Sequence, residues 1–110
     1  MPNHITLVVF PVKDVNTSKI LYTTFLGVEP YADSPYYVGY KAGNVEVGLD
    51  PNGQGVVSYI EVEDIEASIK ELETAGAEVV VPAKNVGGGL MIAQVKDADG
   101  NLLGLRQSAR

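Results

Sequence analysis

The same succession of blocks occurs twice in this chain. An apolar run, Ile5-Thr6-Leu7-Val8-Val9-Phe10, leads to Val12-Lys13-Asp14, then to the stretch Val15–Leu26, then to Gly27-Val28-Glu29. Half a chain later Val57-Ser58-Tyr59-Ile60-Glu61 leads to Val62-Glu63-Asp64, then to Ile65–Ala75, then to Gly76-Ala77-Glu78. Each half closes on Gly-Asn and a strand-like run, Gly43-Asn44 before Val45–Leu49 and Gly100-Asn101 before Leu102–Leu105. A repeat of this kind decides the architecture before any motif is considered, because each copy must fold as the same supersecondary unit.

Local chemistry says what the unit is. Asp14 and Asp64 stand where a carboxylate can accept from the free amides of a first helical turn. Ile65, Ile69, Leu72 and Ala75 build one apolar stripe at helical spacing, and Val15, Leu21, Tyr22, Phe25 and Leu26 do so less cleanly. Gly27 and Gly76 sit where a left-handed C-cap is wanted. Short runs separated by turn residues follow: 28–32, 36–42 and 45–50 in the first half; 78–81, 90–96 and 102–107 in the second, with 82–89 as a loop. Each half therefore reads strand, helix, strand, strand, strand. The alternation of Val45, Val47 and Leu49 with Glu46, Gly48 and Asp50 assigns one sheet face to the helix and the other to a wetter environment.

The chain of 110 residues is short enough to be one domain, with modules over about 4–53 and 55–108. Eight Lys+Arg against 14 Asp+Glu give a formal net charge of −6, which opposes nucleic acid and anionic membranes and favours a neutral or cationic small molecule. Without Cys there is no disulfide, thiolate metal site or thiol nucleophile. No apolar run approaches the roughly 20 residues of a membrane span. The N-terminal Met-Pro-Asn-His passes directly into a strand pattern without a secretory leader, so a cytoplasmic protein is expected. The core of so short a chain is modest, and a homodimer is expected.

The blocks Val12-Lys13-Asp14 with Tyr22, Leu26 and Gly27, Val62-Glu63-Asp64-Ile65 with Leu72, Ala75 and Gly76, and the ending Lys96-Asp97-Ala98-Asp99-Gly100-Asn101 resemble the vicinal oxygen chelate superfamily of glyoxalase I, bleomycin-resistance proteins and extradiol dioxygenases. The resemblance covers nearly the whole chain. It implies an α+β fold of two βαβββ modules whose mixed sheet forms a cup for ligands or metals. In the metal-dependent relatives, it further implies ligands from the first and last strands of each module. Those places hold Leu7, Gly48, Val57 and Gly104 here, none of which has a donor atom. The single histidine, His4, lies on the opposite strand parity from Leu7. The expectation is a protein with no metal and no cofactor.

With the family's strand parity, the cup face carries Leu7, Val9 and Pro11, then Glu46, Gly48 and Asp50, then Val57, Tyr59 and Glu61, then Leu102, Gly104 and Arg106. The opposite parity, including Phe10, Val47, Leu49, Ile60 and Leu105, suits a helix-packed core. An apolar floor, two glycines that open space and a few polar groups make a small-molecule pocket. Glu46 and Glu61 admit three readings: solvated rim residues, an acid/base pair assisted by Tyr59, or, with Asp50, attraction of a cationic ligand. Tyr31, Tyr36, Tyr37 and Tyr40 are either strand-core residues or flat surfaces for planar ligands and cations, Tyr37 being the best placed for contact. Arg106 can hold an anionic group or pair with a glutamate. Gly87-Gly88-Gly89 runs into a strand rather than a helix and is therefore no phosphate cradle, but it can serve as a lid over the cup. Asp97-Ala98-Asp99-Gly100 is a turn, and the sequon Asn16-Thr17-Ser18 has no occasion to be glycosylated.

The resulting expectation is a metal-independent small-molecule-binding protein of the glyoxalase/bleomycin-resistance type that sequesters a cationic or aromatic compound such as an antibiotic. The alternative is a glyoxalase-like lyase or isomerase, or a dioxygenase-related enzyme, working through Glu46 or Glu61 or through a metal bound outside the register above. A degenerate member with a structural or regulatory role is the third.

Overall fold

A computed structural model describes residues 2–109. Its elements are β1 (Ile5–Pro11), α1 (Val15–Leu26), β2 (Ala32–Ser34), β3 (Tyr37–Ala42), β4 (Val45–Asp50), β5 (Val57–Glu61), α2 (Ile65–Thr74), β6 (Glu78–Asn85), β7 (Met91–Lys96) and β8 (Leu102–Gln107). The fold is α+β, and the chain forms two compact units, one of residues 6–56 and one of residues 57–109 together with the N-terminal residues through Ile5; each half of the chain has the element order βαβββ.

In the first unit the strands lie in the order β2-β3-β4-β1, with β1 parallel to β4 and the other neighbours antiparallel. Residues of even number on β1 and β3 and odd number on β4 face the helix. Val38, Tyr40, Val47 and Leu49 are buried there against Phe10, Val12, Val15, Tyr22 and Leu26. Tyr40 is fully buried, and its hydroxyl is satisfied by Thr23 Oγ1 at 2.9 Å and by donation to the Lys19 carbonyl at 3.1 Å. A buried phenol needs such partners, and these fasten β3 to the middle of α1. The broad stripe expected on α1 narrows accordingly. Val15, Tyr22 and Leu26 pack inward, whereas Leu21 and Phe25 are 65% and 76% exposed and, with Ile20, form an outward apolar face.

The second unit has the order β5-β8-β7-β6, again with one parallel pair, β5 with β8. Ile65 and Ile69 of α2 are buried with Ala93 and Leu105, and Ile60, Val62, Leu72, Val79, Ala83 and Met91 pack against them. Both helices begin as their sequences predict. Asp14 Oδ1 accepts from the amides of Asn16 and Thr17 at 3.0 and 3.3 Å, and Asp64 Oδ1 accepts from the Ala67 amide at 3.1 Å. Another orphan donor of α2, the Ile65 amide, is taken by the side chain of Gln107 at 2.8 Å. α1 ends in Gly27 at φ +72°, whose N–H donates to the Thr23 carbonyl at 2.9 Å. α2 ends one residue earlier than the glycine suggests, at Ala75, with Gly76 at φ +112° just beyond.

Two strand assignments differ from the sequence reading. The strand expected over 28–32 forms later, at Ala32–Ser34, because Val28 is drawn into the core beneath α1 and Pro30 has no amide to donate. The expected loop at 82–89 is largely strand. β6 runs through Pro82 to Asn85, with register shifts between Val79 and Val81 and between Val81 and Lys84. Proline is tolerated because β6 is an outer strand whose ladder is interrupted there. The connection shrinks to a hairpin turn in which Gly87, Gly88 and Gly89 all have positive φ, conformations that side chains resist.

A Cβ at Gly27 meets nothing within 4 Å, so Gly27→Ala isolates the backbone cost of the left-handed cap. The expected loss is about 1 kcal/mol, seen as a Tm lower by about 4–8 °C. Acid should act at two hydrogen-bonded carboxylates, the α1 cap Asp14 and the turn residue Asp97. Asp14 is held below the ordinary aspartate value by its bonds from Thr17, the backbone amide first and then the hydroxyl. Asp97 is held below it chiefly by the Asn101 side-chain amide at 2.9 Å, then by the Asn101 backbone amide. A folded pKa below the unfolded one gives stabilisation that is complete above the ordinary range near 3.8 and is lost as pH falls through the folded value. Urea unfolding between pH 6 and pH 2.5 should therefore show a shallower acid limb in Asp97→Asn than in the wild-type chain; an unchanged limb would remove Asp97 from the account.

Candidate functional site

On each sheet the face turned away from the helix carries the candidate site residues read from the sequence. In the first unit, the register aligns three rows across this face. Leu7, Glu46 and Lys41 form one row; Val9, Gly48, Gly39 and Ala32 form the next; Pro11 and Asp50 continue toward Tyr37 and Ser34 in the third. The middle row has two glycines side by side, and tyrosine rings cover both. A Cβ built on Gly48 would lie 2.6 Å from Tyr37 Cζ, and one on Gly39 would lie 3.0 Å from Tyr31 Cζ. Tyr31 hydroxyl donates to Glu46 Oε1 at 2.6 Å, a short charge-assisted bond, and Lys41 Nζ stands 4.9 Å from the Tyr31 ring centroid. Leu7 and Val9 are buried, Glu46, Asp50 and Tyr37 are half-buried, and Tyr31 and Lys41 are exposed.

The second unit repeats the device. Tyr59, Gly104 and Gln94 share the middle row, the Tyr59 ring lies so close over Gly104 that a Cβ there would be 2.6 Å from Tyr59 Cγ, and Gln94 Nε2 donates to the Tyr59 hydroxyl at 2.9 Å. Val57 and Tyr59 are buried; Arg106 is half-buried beside the exposed Glu61 in the next row. Glu61 Oε1 accepts from the Ser108 amide at 3.1 Å and from the Ser108 hydroxyl, so the carboxylate is anchored by the segment after β8.

These contacts correct one expectation. Gly48 and Gly104 do not open space; each is the seat of a tyrosine ring, because only a residue without Cβ lets an aromatic ring approach the strand so closely. The four tyrosines of the 31–40 stretch also separate: Tyr31 and Tyr37 cover glycines, Tyr40 is core, and Tyr36 stands 76% exposed at the β2–β3 turn. Lys41, Gln94 and Ser108 belong to these faces and were not singled out from the sequence. Open clefts adjoin these elements, the second sharing Glu61 and Ser108 with the face above. One of about 670 Å³ runs along Lys13, Asp14, Asn16, Asp33, Ser34 and Pro35 at the start of α1, and one of about 410 Å³ is lined by Glu61, Glu63, Gln107 and Ser108 at the end of β5.

The residues present do not fit the metal that the resemblance implies. Two of the four positions carry alkyl side chains and two are glycines under tyrosine rings; His4 is exposed. Among the described residues, no group of three or more His, Cys, Asp or Glu is placed to hold a metal ion. No helix of the described residues is long and apolar enough to cross a membrane.

The family model described as the Glyoxalase/Bleomycin resistance protein/Dioxygenase superfamily matches residues 2–105. The chain belongs to this superfamily. Solved structures of the same fold include a superfamily member from Vibrio splendidus 12B01 (21% identity, covering 97% of this chain and 100% of that one, TM-score 0.73) and a hypothetical protein from Bacillus halodurans C-125 (16% identity, 100% and 97%, TM-score 0.79). A third is the methylmalonyl-CoA epimerase of Streptomyces coelicolor in complex with 2-nitronate-propionyl-CoA (16% identity, 100% of both chains, TM-score 0.72). Among curated proteins nothing matches. At these identities the likeness to other glyoxalase-superfamily structures is one of fold, and chemistry must be read from the faces above.

The ring-on-glycine contact is testable by a double-mutant cycle. Gly104→Ala should cost about 1–3 kcal/mol through overpacking against the Tyr59 ring. In a Tyr59→Ala background the same substitution should cost far less, and equal costs in both backgrounds would show that the ring is not what excludes the methyl group.

Proposed function

We propose that this superfamily member is a single-domain, metal-independent protein that binds a small organic molecule, sequestering a cationic or aromatic compound such as an antibiotic, as a cytoplasmic homodimer. The observation that carries the reading is the treatment of the metal positions: two are alkyl, and the two glycines are occupied from above by Tyr37 and Tyr59. Phenol faces and edges, with carboxylates beside them, recognise planar and cationic groups. Tyr37, Glu46 and Asp50 supply these in the first unit beside the apolar Leu7, Val9 and Gly48. Tyr59, Glu61 and Arg106 supply polar contacts in the second beside Val57 and Gly104.

The net charge of −6 supports the same choice. The epimerase relative holds a CoA derivative, which carries several phosphates, and an acidic protein repels such a ligand where it attracts a cation. The acid/base alternative finds less support in the geometry. Glu61 is tethered by Ser108 and Glu46 accepts from Tyr31, arrangements that fix the carboxylates in place. The outward apolar face of α1 supports self-association, being the kind of patch a subunit contact covers.

The test is thermal unfolding of chelator-treated protein with Zn, Ni, Mn or Fe(II), and in parallel with phenyltrimethylammonium and with planar aromatic cations. A native-state ligand at a hundredfold excess over its Kd stabilises by about 2.7 kcal/mol, which for a domain of this size is a Tm rise on the order of 10 °C. The expected result is a rise with an organic cation and none with the metals. A rise with one metal and none with the organic compounds would overturn the reading.

A further inference from the structure

Lys41, Tyr31 and Glu46 form a closed arrangement on the first sheet. Lys41 and Glu46 are directly opposite each other on β3 and β4. The Tyr31 ring lies on the Gly39 backbone, its hydroxyl donates to Glu46 Oε1 at 2.6 Å, and the Lys41 ammonium stands 4.9 Å from the ring centroid. The ring is 52% exposed and Lys41 is exposed, so this cation is held by a flexible stem at the surface rather than locked in a core. Donation to a carboxylate adds electron density to the phenol, which strengthens the attraction of its face for positive charge.

We propose that Tyr31 and Glu46 form a subsite for a quaternary ammonium group, and that Lys41 is its built-in occupant, displaced when the ligand binds. This deepens the small-molecule reading above and rests on it. The physical reason for the preference is hydration. A primary ammonium is compact, strongly hydrated and has three N–H donors to satisfy, none of which an aromatic face accepts well. A quaternary ammonium has no donors and loses its water cheaply, so a ring backed by a carboxylate holds it better than it holds the lysine. The grip on Lys41 is correspondingly weak: a cation over an exposed ring is worth about 0.5–1 kcal/mol, a factor of about 2–5 in binding. Competition of that size leaves the subsite usable and raises its threshold, so that a simple amine does not fill it.

The experiment uses the full chain, with choline as the probe and 3,3-dimethylbutan-1-ol as its uncharged isostere, read by the NMR shifts of the tyrosine ring protons. Choline should move the Tyr31 resonances and the alcohol should not. Lys41→Gln should tighten choline binding about 2- to 5-fold, Lys41→Arg should not tighten it, and Tyr31→Leu should abolish it in a chain whose remaining tyrosine resonances keep their folded dispersion. Equal response to choline and to the alcohol would overturn the subsite, as would a Lys41→Gln variant that binds choline no better than wild type. The broader reading fails separately: a neutral planar aromatic such as 1-naphthol that moves the Tyr37 or Tyr59 resonances keeps small-molecule binding alive when the choline result is negative. Silence of all three tyrosines toward every probe removes both.

Discussion

The contact on which these faces depend is that between a tyrosine ring and a glycine backbone. A strand residue with a Cβ holds its neighbour's ring away from the sheet; Gly48, Gly39 and Gly104 let Tyr37, Tyr31 and Tyr59 lie down on it. The sheet so covered presents phenol edges and hydroxyls where alternating side chains would otherwise stand. It also leaves Gly48 and Gly104, the places that the family resemblance assigns to ligands in the last strands, without a side chain. One steric fact thus governs both the polarity of the face and the lack of a side-chain donor at those two glycines. The hydroxyls then find fixed partners, Glu46 for Tyr31 and Gln94 for Tyr59, and these orient the rings.

The fold was legible because each unit states its boundaries in local chemistry. Asp14 and Asp64 cap their helices by accepting amide hydrogens, which a sequence shows directly. The period-two alternation of Val45–Leu49 put Val47 and Leu49 under α1. The less clean stripe of α1 was less legible, since Leu21 and Phe25 follow helical spacing but point outward. Pro82 misled for a physical reason: the rule against proline in strands is a rule about ladders with partners on both sides, and β6 has an outer edge.

The site was legible in part. Parity placed Glu46, Asp50, Tyr59, Glu61 and Arg106 on the faces opposite the helices, but what covers a glycine depends on side chains from other rows, which no alternation encodes. Gly48 and Gly104 were therefore read as empty space. Lys41 could have been found. Gly43-Asn44 is a two-residue hairpin turn, which fixes Ala42 against Val45 and so Lys41 against Glu46. Ser108 could not, because its contact with Glu61 comes from a segment beyond the last strand and leaves no periodic trace.

The outer strands have a consequence for how the protein behaves in quantity. β2 has only three residues, and β6 breaks its ladder twice and contains a proline without an N–H. Neither offers a flat run of free amides and carbonyls on which another chain can template a strand. Edges that refuse strand-by-strand growth let a chain accumulate to high concentration without polymerising through its sheets, so crowding alone gives its strands no route to fibres.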